Sequence, residues 1–119
     1  MSYIDGVVIA VKTADRQTYL DYARTMDALF IEAGATRIVE GWGDDVPHGQ
    51  ATDFYRAVAA TEDETVVFSW IEWPDKATRD AAWEALRGDP RMGATPMPFD
   101  AKRMIFGGFE ALYQLGEAK

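Results

Sequence analysis

The chain has no cysteine, a single histidine and no apolar run approaching the length of a membrane span. Without thiols there are no disulfides, no thiolate nucleophile and no cysteine-ligated zinc or iron–sulfur centre. Any metal would have to rest on carboxylates and His48. The nearest grouping, Asp44, Asp45, His48 and Asp53, fits no recognised ligand spacing, so neither a metal nor another cofactor is expected. Basic charge is scarce as well: twelve lysines and arginines stand against twenty aspartates and glutamates, a net charge of −8. That balance repels phosphate backbones and anionic lipid surfaces, and the one adjacent basic pair, Lys102-Arg103, is too short to make a patch. Neither nucleic acid nor a membrane is an expected partner. The segment Met1 to Asp5 lacks the basic stretch and cleavage site of a secretory signal, which sets the expectation of a soluble, cytoplasmic protein. Phosphate loops, nucleophile elbows and dinucleotide fingerprints are also missing, since Gly107-Gly108 lies inside a strand pattern and not before a helix.

What is present suits one globular domain. With 119 residues, 48% of them apolar and 27% charged, residues 1–119 suffice for one hydrophobic core and not for two. Tyr3 to Lys12 reads as a strand rich in β-branched side chains, with Gly6 near its start. From about Thr13 to Ala33 the period changes. Tyr19, Tyr22, Met26, Phe30 and Ala33 recur at three- and four-residue steps, and Gly34 supplies a stop. Ala35 to Gly43 returns to strand character, and Asp44 to Thr52 is a loop around Pro47, His48 and Gly49. Asp53 to Ala59 and Glu64 to Trp73 read as two strands of a hairpin across the polar turn Ala60 to Asp63. Asp75 caps a second helix through Ala81, Ala82, Ala85 and Leu86, which Gly88 and Asp89-Pro90 end. Arg91 to Asp100 is an ordered loop or helical turn, and Lys102 to Tyr113 is the last strand, followed by a polar tail.

The order strand, helix, strand, strand, strand, helix, strand contains the split β-α-β unit twice. It predicts an α+β fold, a ferredoxin-like antiparallel sheet with two main helices on one face and one extra strand in mid-sequence. A lone domain of this kind wets its second sheet face and should show apolar/polar alternation. Here the alternation is mostly missing. Val7, Ile9 and Val11 oppose Ile4, Val8 and Ala10; Val66, Phe68 and Trp70 oppose Val67 and Ile71; Met104, Phe106 and Leu112 oppose Ile105, Phe109 and Tyr113. At roughly 25 cal/mol per Å² of apolar area, leaving such a face in water is costly and promotes aggregation. A second copy is the simplest cover, so a homodimer whose sheets close face to face into a dimeric α/β barrel is expected.

Several runs carry a family resemblance: Arg37-Ile38-Val39-Glu40-Gly41-Trp42, Asp45-Val46-Pro47, Val66-Val67-Phe68-Ser69-Trp70-Ile71-Glu72-Trp73-Pro74, Asp89-Pro90-Arg91-Met92, Met97-Pro98-Phe99-Asp100 and Lys102-Arg103-Met104-Ile105-Phe106-Gly107-Gly108-Phe109-Glu110. Over nearly its whole length the chain resembles the YbaA-like bacterial proteins, an uncharacterised domain family of unknown function. The resemblance implies the dimeric α/β-barrel superfamily. Relatives there include cofactor-independent monooxygenases, lactone isomerases, haem-dependent enzymes and plain binding proteins, so it implies a fold and no particular activity or catalytic motif.

Two mirrored triplets stand out, Glu40-Gly41-Trp42 and Trp70-Ile71-Glu72. Residues two apart share a strand face, so each strand sets a carboxylate beside an indole. An antiparallel pairing in suitable register would bring Glu40 near Glu72 and Trp42 near Trp70, and two close carboxylates in an apolar cavity raise one pKa toward acid–base use. The alternative is structural: glutamates paired with Arg37, Arg56 or Arg103, and tryptophans used as core or dimer contacts. His48 has the ordinary pKa of an acid–base group but sits in the loop Val46-Pro47-His48-Gly49-Gln50, where solvent exposure is the simpler reading. The candidate ligand-binding set is therefore Glu40, Trp42, His48, Trp70, Glu72 and Arg103, for a small, partly apolar molecule, with or without cofactor-free catalysis. A non-enzymatic structural or interaction protein with no pocket stands as the other reading, and whether the chain is an enzyme stays open.

Overall fold

The computed structural model describes residues 2–116; the end of the expected polar tail lies outside them. The β-branched stretch at the N-terminus forms β1 (Tyr3–Lys12), which pairs antiparallel along its whole length with β3 (Glu64–Trp73), Tyr3 facing Trp73 and Lys12 facing Glu64. On its other side β1 pairs antiparallel with β4 (Ile105–Glu110), and β2 (Arg37–Trp42) completes the sheet against β3, giving the order β2-β3-β1-β4. Two long helices, α1 (Arg16–Glu32) and α3 (Lys76–Arg87), pack on the same sheet face. This is the ferredoxin-like α+β arrangement.

The helices start and stop for local reasons. Asp75 accepts the Thr78 backbone N–H at 2.7 Å and caps α3, directly after Pro74 has ended β3. Gly34 follows α1 at φ 124°, and a Cβ there would meet Thr78 Cγ2 at 2.8 Å, so the turn needs both the left-handed backbone and the missing side chain. Tyr3, Ile71 and Trp73 of the sheet bury against Met26, Leu29 and Phe30 of α1 and Ala82 and Leu86 of α3, and Ile9, Val11 and Val67 against Tyr19 and Ala23.

The expected extra strand is corrected. Within Asp53–Ala59 the chain forms a single helical turn, α2 (Phe54–Ala57), because Asp53 caps it by accepting the Arg56 N–H at 2.8 Å, and Ala59 then takes a left-handed φ of 48°. A capping aspartate outweighed the β propensity of Phe54, Tyr55 and Val58. The last strand is also shorter than expected. A 3₁₀ turn at Ala101–Arg103, capped by Asp100, delays it to Ile105, and the strand ends at Glu110, after which the Ala111 N–H bonds to the Ser2 carbonyl.

Segment 53–60 covers part of the second sheet face, where Val58 packs on Val8, Ala10 and Val66 with Tyr55 beside them. Away from the Arg37–Glu72 pair, the rest of that face is largely apolar and left open by the described residues: Phe68, Ile105 and Phe109 are exposed, and Trp70 and Val39 are half-buried. Among the described residues no helix is long and apolar enough to cross a membrane.

Candidate functional site

Side chains four apart stack along one face of a helix, and on α3 this spacing aligns Arg79, Trp83 and Arg87. They form one wall of a cleft of about 390 Å³ whose floor is Asp5, Gly6 and Val7 of β1 and whose far wall is Met104 and Phe106. Phe106 lies opposite Val7 in the β1–β4 ladder and so points to the helix face, at the open edge of the sheet.

Asp5 organises this cleft. It is the one carboxylate of β1, 4% exposed among mostly apolar residues, and it is saturated with donors. Trp73 Nε1 and Trp83 Nε1 donate to Oδ2 at 2.8 and 3.0 Å, and the Arg79 guanidinium donates through Nη2 to Oδ1 at 2.7 Å and through Nε to both oxygens at 3.1 Å. The Asp5 hydrogen bond raises the Arg79 pKa further above its ordinary value, so the guanidinium stays charged. Arg79 also bonds Asp80 through Nη1 at 3.0 Å and lies over the Tyr3 ring at 5.2 Å, while Phe30 meets the Trp83 indole edge to face at 5.0 Å. A Cβ on Gly108 would lie 2.5 Å from the Tyr3 hydroxyl oxygen and 2.9 Å from Arg79 Nη2, so this close approach requires glycine.

The strand register separates the residues that the mirrored triplets were expected to join. β2 and β3 are antiparallel, but Glu40 faces Ser69 and Glu72 faces Arg37, a register that puts Glu40 and Trp42 on the helix face and Trp70 and Glu72 on the other. Each triplet finds its own surroundings. Glu72 accepts from Trp70 Nε1 at 2.8 Å and pairs with Arg37 at 3.4 Å. Glu40 accepts the Tyr19 hydroxyl at 2.6 Å and neighbours Asp27 of α1, whose carboxyl is pushed up to about 9 by burial and then by Glu40. Glu40 and Trp42 line a small cavity of about 140 Å³ with Tyr19 and Arg16, the latter's guanidinium 5.6 Å from the Trp42 ring centre.

His48 and Arg103 lie elsewhere. His48 is exposed, its ring stacked on Tyr55 at 4.3 Å and its Nδ1 3.7 Å from Asp53. Arg103 grips Glu64 with two bonds of 2.7 and 2.8 Å, which lowers that carboxyl to about 2, and also bonds Asp100 and the Ala59 carbonyl. Asp5, Arg79, Trp83 and Arg87 were not singled out from the sequence. The available signal was a carboxylate inside a β-branched strand together with the Arg-Trp-Arg spacing of four, since a charge at a core position needs a partner.

Residues 2–101 match the model of a family described as "Protein of unknown function (DUF1428)". The chain is 53% identical over 114 residues to the uncharacterised protein YbaA of Escherichia coli K12, across 94% of this chain and 97% of that protein, and equally to YbaA of Shigella flexneri. Among solved structures it is similar to a mutant of SnoaB, a cofactor-independent oxygenase from Streptomyces nogalater, at 16% identity, TM-score 0.57 and 98% of both chains. It is also similar to a dimeric ferredoxin-like protein from an uncultured marine organism, at 11% identity, TM-score 0.53 and 92% of both.

Proposed function

The chain belongs to the DUF1428 family, to which function has yet to be assigned, and from that footing we propose that it is a homodimer whose subunits pair through their open sheet faces and each bind a small, largely apolar molecule in the cleft between α3 and β4. The observation that carries the binding proposal is the cleft itself. It is roomy, lined by Trp83, Phe106, Met104 and Val7, and held in shape by the Asp5 network. It takes the place of the single Glu40–Glu72 pocket, which the strand register divides. Pairing is supported by Phe68, Ile105 and Phe109, exposed on one face of the sheet, and by a structural neighbour described as a dimer.

The geometry favours binding over turnover. Asp5 is surrounded by donors, so its part is to hold the walls and not to take a proton from a ligand. The oxygenase neighbour shares the fold at 16% identity, and its activity is not transferred to this cleft.

Naphthylmethanol, an apolar neutral probe, is expected to raise the melting temperature in a concentration-dependent way, and Phe106→Asp is expected to abolish the shift. No shift in the wild-type protein refutes the binding site. Sedimentation velocity at micromolar concentration should give a dimer that Phe68→Asp dissociates, whereas a wild-type monomer refutes the pairing.

A further inference from the structure

Resting on the reading of the α3–β4 cleft as a ligand site, we infer the class of molecule it takes: a planar apolar body carrying one anionic acceptor group, such as an aromatic carboxylate or a stabilised enolate. The polar atoms of the lining decide this. Asp5 has its oxygens engaged by two indoles and a guanidinium, and the Trp83 N–H is spent on Asp5. Gly6 and Val7 belong to the central strand β1, flanked by β3 and β4 on its two sides, so their backbone groups face ladder partners. Met104 offers a thioether, a weak acceptor. Among the side chains of the described residues lining the cleft, those with unused hydrogen-bonding capacity beyond a thioether are the donors of Arg79 and Arg87.

Arg79 is fixed by Asp5 and Asp80, yet Nη1 and Nη2 each carry a second N–H beyond those two bonds. Arg87 is held more loosely. Its bond to Glu84 is 2.7 Å long, but the two side chains are 72% and 77% exposed, so a ligand anion can take the guanidinium over at little cost. A ligand acceptor therefore meets charged donors, whereas an ammonium meets two guanidinium charges and no open side-chain acceptor in the lining. The body of the ligand is set by the Trp83 indole and the Phe106 ring, which favour a flat, aromatic partner. The net charge of −8 opposes anions over the molecule as a whole, so a preference for an anion would have to arise in the cleft.

The test uses three probes with one body and three ends, titrated into the full chain by calorimetry: naphthoate, naphthylmethanol and naphthylmethylammonium. Naphthoate is expected to bind roughly tenfold more tightly than the alcohol, with the ammonium weakest, because a charge-assisted hydrogen bond adds to the shared apolar contact. Arg87→Gln should bring the naphthoate-to-alcohol affinity ratio down toward one, and Arg91→Gln, a surface change away from the cleft, should keep the ratio of the wild-type protein. If the alcohol binds as well as naphthoate, or the ammonium binds best, and Phe106→Asp abolishes that binding, the ligand class is wrong and the cleft stands. If none of the three binds, the cleft reading fails and takes the inference with it.

Discussion

Replacing Asp5 by alanine tests the cleft at its foundation. The substitution leaves Arg79, 23% exposed at its side chain, without its main counter-charge, and it strips the acceptor from two indole N–H groups. Breaking one side of a buried ion pair costs about 3–5 kcal/mol, and each unpaired buried donor costs about 1–3 kcal/mol. The three donors share one acceptor, so these terms overlap, and the partial exposure of Arg79 and its remaining bond to Asp80 lower the first. A loss of about 4 kcal/mol follows, out of roughly 5–15 kcal/mol for a domain of this kind, or about 15 °C in melting temperature. The assay is urea unfolding at one fixed protein concentration, because a dimer's stability depends on concentration. Asp5→Asn should lose less, since the amide oxygen still accepts an indole N–H. In the double variant Asp5→Ala with Arg79→Ala, the loss should fall short of the sum by more than about 1 kcal/mol. Additive single effects, or a loss under about 1 kcal/mol for Asp5→Ala, would refute the account of the network.

Two further predictions concern other parts of the fold. Asp27 has a folded-state pKa raised from its ordinary 3.8 to about 9, so its contribution is complete below pH 3.8, declines as pH rises through the interval and is gone above about 9; Asp27→Asn should flatten that decline in urea midpoints taken at pH 5, 7 and 9, and parallel curves would refute the raised pKa of Asp27. Gly34→Ala combines a φ of 124° with a 2.8 Å approach to Thr78 Cγ2 and should cost about 1–3 kcal/mol in the same unfolding assay, an unchanged midpoint being the contrary result.

The elements that the sequence made legible are those whose period is long and uninterrupted. β1, β3 and α1 carry ten, ten and seventeen residues and emerge within a few positions of their expected ends. The segment from Asp53 to Ala59 was misread because seven residues hold too few repeats to separate a strand from a turn, and the deciding interaction, Asp53 accepting the Arg56 N–H, is a cap and not a periodicity. The absence of alternation was informative in a different way. It located an apolar second face, and the structure divides that face into a part sealed by Val58 and Tyr55 and a part with Phe68, Ile105 and Phe109 left open. Which residues a loop would cover is set by its path in three dimensions, and no local pattern records that.

The candidate site was harder to read, for a reason that register explains. Glu40, Trp42, Trp70 and Glu72 have the same alternation on both strands, and alternation is blind to an odd shift between strands, which exchanges one face for the other. Only the pairing of β2 with β3 decides whether two carboxylates meet or stand on opposite sides of the sheet. Asp5 poses the reverse case. Its partners arrive from Trp73 at the far end of β3 and from Arg79 and Trp83 on α3, all more than sixty residues away in sequence, yet the need for partners is implicit in one acidic residue within Tyr3-Ile4-Asp5-Gly6-Val7. A lone charge in a core strand is costly unless it is met by donors. The residues that meet it become fixed walls, and where those walls stand clear of the next strand a cleft results. In this fold the α3–β4 cleft follows from satisfying Asp5, since Arg79 and Trp83 line it because the carboxylate beneath holds them there.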